Sequence, residues 1–169
     1  MAYAVWLLAA ASFAVMLHHK FRAISEMKRR ECIEQFFKLA DDLIHMEGMN
    51  PLILDSIDDM CQTVNDKDMV HVMTIAVHKS LRRDRACPDD SDFSRAFDQM
   101  PKETRTTYGL LFMYYVLSLS YLYNLSGWAL RQNFLTLLQK GLNKLPCASE
   151  AVAKHVDEHR AAYPLPPAA

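Results

Sequence analysis

From Ala2 to His19 the chain carries no charged side chain; the run stops at Lys20, with Arg22, Lys28, Arg29 and Arg30 close behind. Nothing constrains the fold more, because a helix apolar on every side has to be covered by a protein core or by lipid. An export signal places basic residues before its apolar core and ends in a small-residue cleavage box. Here no Lys or Arg precedes Lys20, and cutting at Ala9-Ala10-Ala11 would leave Phe13, Val15, Met16 and Leu17 as an apolar stub. An uncleaved segment is therefore expected. Burial inside a soluble bundle is the competing reading, and the terminal position argues against it, since termini are usually peripheral.

As a helix, Ala2 to Leu17 extends about 24 Å at 1.5 Å per residue, against a hydrocarbon core of about 30 Å. Neutral His18 and His19, with Lys20 and Arg22 reaching toward headgroups, make up part of the difference. The expectation is a single-span anchor built on Val5, Trp6, Leu7, Leu8, Phe13, Val15, Met16 and Leu17. Lys20, Arg22, Lys28, Arg29 and Arg30 form its lipid-facing basic flank. Positive charge follows the segment and none precedes it, so the N-terminus is expected outside and the body in the cytoplasm.

The whole chain has 169 residues, enough for one core and too few for two comfortable ones. The expected organisation is an anchor with its flank over 1–22, an all-α bundle over 23–160 and a Pro-rich tail over 161–169. A formal charge of −1 excludes global attraction to nucleic acid, and Asp84, Asp89, Asp90 and Asp92 dilute the basic cluster "LRRDR" at 81–85. Four scattered glycines build no phosphate loop, so no nucleotide cofactor is expected. Cys32, Cys61, Cys87 and Cys147 contain no C-x-x-C pair and read as reduced thiols.

Beyond the anchor, Ile24, Met27, Ile33, Phe36, Phe37, Ala40, Leu43 and Ile44 recur at helical spacing, and no Pro or Gly separates this stripe from the anchor. One rod ending at Gly48 is predicted, then a helix from Pro51 with Ile53, Ile57, Met60, Cys61 and Val64 inward. Asn65 or Asp66 caps a third, burying Met69, Val70, Met73, Ala76, Val77 and Leu81; a short fourth buries Phe93, Ala96, Phe97 and Met100. No segment alternates with period two, so the fold class is all-α, with about five to six helices in the bundle. A last helix is predicted over 149–160. Residues 108–130 are again free of charge, but their tyrosines and serines are scattered rather than confined to the ends. That favours the central helix of the bundle, its hydroxyls partnered, over a second span.

Candidates for chemistry are sparse. His155 and His159 in "HVDEH" formally match an inverted zinc-protease string, and Asp42 with His45 resembles half of a di-iron helix motif. His71 and His78 share one helical face. No complete ligand set accompanies any of them, so no catalytic residue is assigned. The reading is a membrane-tethered cytoplasmic protein acting on unidentified protein partners, with methionines 46, 49, 60, 69 and 73 suited to an adaptable groove. The alternatives are a metal-dependent helical enzyme and a two-span subunit of a membrane complex.

Overall fold

A computed structural model describes residues 2–82, 92–122 and 124–139, and the side chains of all of these except 2–5, 7–9, 79–82, 124–125 and 137–139. The described residues form six helices and no strand: α1 (Ala2–Ile44), α2 (Pro51–Thr63), α3 (Met69–Arg82), α4 (Asp92–Gln99), α5 (Lys102–Ser120) and α6 (Asn124–Gln139). The all-α expectation holds. Leu81's side chain, Arg83, Arg85, Cys87 and everything expected beyond Gln139, including the helix over 149–160 with His155 and His159, lie outside the described residues.

The 43 residues of α1 make one unbroken rod, about 64 Å long at 1.5 Å per residue. No proline or glycine interrupts it before Gly48, whose φ of +77° is the left-handed conformation that lets the chain turn away. Asn50 then accepts a hydrogen bond from the Leu52 N–H at 3.0 Å, and Pro51 occupies the first helical position of α2. At the far end of α2, the Asp66 carboxylate accepts from the Asp68 N–H at 2.9 Å and starts α3.

Side-chain pairs fix the helix directions. Met46 meets Thr104, Phe36 stacks at 5.9 Å on Tyr115, and Lys28 lies within electrostatic reach of Tyr121, so α1 and α5 run antiparallel. Tyr108 pairs with the Ser56 hydroxyl and Tyr115 with that of Thr63, both at 2.8 Å. Each pair of partners is two helical turns apart on its own helix, so α2 and α5 run parallel and in register. These are the partnered tyrosine hydroxyls the sequence calls for. Phe93 and Phe97 of α4 close over Tyr108. Phe134 meets Phe112 and Arg131 reaches the Ser120 carbonyl, which makes α6 antiparallel to α5.

The core includes Phe36, Ala40 and Leu43 from α1, Ile53, Ile57 and Met60 from α2 with Val64 behind them, Met69, Val70, Met73 and Val77 from α3, and Tyr108, Leu111, Phe112, Tyr115, Val116 and Leu119 from α5, with Cys61 partly buried against it. Two expectations need correction. The apolar stretch 108–130 is not one helix: α5 ends at Ser120, the chain turns at Tyr121–Leu122, and α6 resumes at Asn124. Ile24, Met27, Phe37 and Ile44, placed on the inward stripe by spacing, are exposed, because α5 covers only the side of α1 that carries Phe36, Ala40 and Leu43.

Candidate functional site

The α1–α5 pairing covers α1 only from about Lys28 onward, and the rest of the helix projects from that end of the bundle. Every described side chain from Trp6 to Ile24 is exposed. Trp6 is 76% accessible and Phe21 64%, and Phe13, Val15, Met16 and Leu17 stand open between them. Burying one such side chain is worth about 1.5–3 kcal/mol, so this half of α1 forgoes a stabilisation that the other half collects. Among the described residues no helix is long and apolar enough to cross a membrane. Of the expected anchor residues, Val5, Leu7 and Leu8 have side chains outside the description.

The basic flank divides. Lys20 and Arg22 stand on the projecting half, and both are exposed. Lys28 pairs with Glu31 at 3.0 Å, and that hydrogen bond raises its pKa; Arg30 pairs with Glu26 at 3.7 Å. Arg29, expected among the lipid-facing residues, turns instead toward the α2–α3 turn, donating to the Asn65 side-chain oxygen and leaving its Nε buried without a partner. It clamps the point where the rod leaves the bundle.

The described metal candidates do not converge. His45 is exposed and turns back on its own helix, with Nδ1 2.9 Å from the Asp41 carbonyl oxygen and 3.3 Å from its carboxylate. Asp42, His71 and His78 are exposed as well. Among the described residues no three His, Cys, Asp or Glu side chains are placed to hold a metal ion. Cys32 and Cys61 are free, half-buried thiols, and burial raises the pKa of each. Thiolate character, and with it nucleophilic reactivity, is suppressed at both.

At the opposite end of the bundle from the projecting rod, the α1–α2 turn and the α4–α5 junction enclose a cleft of about 730 Å³. Met46, Met49 and Met100 line it together with Pro51 and Pro101. The methionines singled out by the sequence thus divide. Met60, Met69 and Met73 fill the core, whereas Met46 and Met49 remain at the surface of this cleft. Met100, Pro101 and Thr104 complete it, and nothing in their local spacing signals that, because they meet the α1–α2 turn only through the antiparallel packing of α1 on α5.

Comparison with protein-family models, with curated proteins and with solved structures returns no match for this chain.

Proposed function

We propose that the protein is a membrane-tethered helical bundle that works through contacts with other proteins on the cytoplasmic face. One observation carries the tether: a rod of exposed aromatic and aliphatic side chains leaves the bundle and is followed by Lys20 and Arg22. Apolar surface of that extent calls for a cover, and apolar residues followed by basic ones fit a bilayer with an anionic cytoplasmic leaflet. The contact role is supported by the Met-lined cleft at the far end, since methionine surfaces adapt to differently shaped apolar partners.

Alkaline and high-salt extraction of membranes carrying the full chain tests the tether. The native chain is expected to resist both washes. Phe13→Asp puts a charge in the middle of the inserted segment at a cost of about 3 kcal/mol, roughly a hundredfold in partition, and should come off. Release of the native chain by salt alone would sink the tether. For the contact role, a photo-crosslinking residue at Met49 should give an adduct of defined mass in native membranes, and one at exposed His78 should not; no adduct at Met49 argues against the cleft.

A further inference from the structure

We propose that the cleft between the α1–α2 turn and the α4–α5 junction takes the apolar face of a cationic amphipathic helix supplied by a partner protein. This rests on the contact reading above and specifies the partner's chemistry. The floor of the cleft is apolar, with Ala96 and Met100 both buried there. Met46 and Met49 line it from the α1–α2 turn, and Thr104 lines it from α5. That lining selects among the ways proteins hold a peptide. Strand addition needs a sheet edge, and the described residues form no strand. Polyproline recognition needs a groove walled by aromatic rings, and none of the described residues lining the cleft is aromatic. A helix laid into a groove needs apolar walls that adapt to its side chains, which methionines supply.

Charge decides what the other face of that helix carries. The chain as a whole has a formal charge of only −1, but its charges are sorted between the two ends of the bundle. Residues 20–31, where the rod leaves, hold five Lys or Arg against two Glu. Residues 41–55 and 96–105, which build the cleft end, hold six Asp or Glu against Lys102 and Arg105. Two of those six are engaged: Asp98 holds Arg105 at 3.8 Å, and Asp41 faces His45 at 3.3 Å. Asp42, Glu47, Asp55 and Glu103 are exposed. Glu47 lines the cleft itself, Glu103 adjoins Thr104, and Asp55 stands one helical turn beyond Pro51, another lining residue. Carboxylates set around an apolar groove steer basic partners toward it and turn acidic ones away. Lys and Arg stems on the arriving helix lie along the apolar rim while their charged ends reach these carboxylates in water.

Two designed helical peptides test this on the full chain, each with leucine at i, i+3, i+4 and i+7 spacing and with either lysine or glutamate at the remaining positions. Isotope-labelled methionine methyl groups report where they bind, because Met46, Met49 and Met100 line the cleft whereas Met60, Met69 and Met73 fill the core. The leucine–lysine peptide is expected to bind and to shift the first three resonances while leaving the second three in place. Glu47→Lys should weaken it by about fivefold or more, and Glu34→Lys, the same charge change at an exposed site further back on α1, by less than about twofold. Equal binding of the leucine–glutamate peptide would mean that the groove reads apolar surface alone, which overturns the cationic partner. Binding that leaves the Met46, Met49 and Met100 methyls unmoved, or no binding of either peptide, overturns it as well. A free chain that is already a dimer or larger, and whose dilution moves the same three methyls, would put the basic rod of a second copy in the cleft in place of a partner. Any of these results alongside an adduct at Met49 in native membranes sinks the proposal and leaves the contact reading standing; loss of that adduct too removes both.

Discussion

Phe13 and Phe36 belong to the same unbroken helix and live in different worlds. Phe36 is fully buried against Tyr115, while Phe13 is 58% accessible. The two halves of α1 share one backbone, and the N-terminal half is the more apolar of the two, yet only the C-terminal half is covered. Most helical stability in proteins comes from the packing of one face rather than from propensity. The C-terminal half obtains its packing from α5; the described side chains of the N-terminal half up to Ile24 are exposed.

The sharpest way to break this comparison is to truncate one phenylalanine in each half. Phe36→Ala should cost the bundle about 3–5 kcal/mol in urea unfolding, whereas Phe13→Ala should move the midpoint by less than about 0.5 kcal/mol. An equal loss at both sites would mean that the rod packs on the bundle. A smaller effect is expected from the glycines that bear on α5. Gly127→Ala forces a Cβ into the Ser120 carbonyl and should destabilise by about 1–3 kcal/mol. Gly109→Ala meets no atom within 4 Å and should stabilise by up to about 1 kcal/mol. Both are read by thermal unfolding.

Tyr115 gives a pH-dependent test of the covered half. Burial, above all, raises its pKa in the fold from the ordinary value of 10.0, although the Thr63 hydrogen bond acts in the opposite sense. The protonated phenol therefore favours the fold fully below pH 10, and that contribution is lost as the pH climbs above it. Tyr115→Phe should cost about 1 kcal/mol at neutral pH, because Thr63 keeps its bond to the Asp59 carbonyl, and should flatten the alkaline loss of stability. Urea midpoints at neutral pH and above pH 10 check this. The smallest effect is kinetic: with their pKa values raised by burial, Cys32 and Cys61 should react with a thiol reagent at neutral pH more slowly than free cysteine.

Much of the fold is legible in the chain because helical stripes are local. Ile53, Ile57 and Met60 of α2, and Val70, Met73 and Val77 of α3, are buried as their spacing requires. The continuity of α1 follows from the absence of any breaker before Gly48. Less legible is which side of a helix a neighbour covers: Phe36 and Phe37 are adjacent and equally apolar, and only the position of α5 buries the first and exposes the second. The break at Tyr121–Leu122 has neither proline nor glycine to announce it, and depends on how closely Gly127 approaches Ser120. At the candidate site the apolar run and its basic flank are plain in the sequence, but the inward turn of Arg29 onto Asn65 and the convergence of Met46, Met49 and Met100 on one cleft depend on tertiary packing.

Amide hydrogen exchange across α1, with and without anionic vesicles, tests the central claim most directly. Residues 32–44 are expected to be protected in both conditions, because the bundle supplies their cover. Residues 2–24 should be protected only when lipid is present. Strong protection of residues 2–24 without lipid, or its absence with lipid, would contradict the account of one helix stabilised by two different environments.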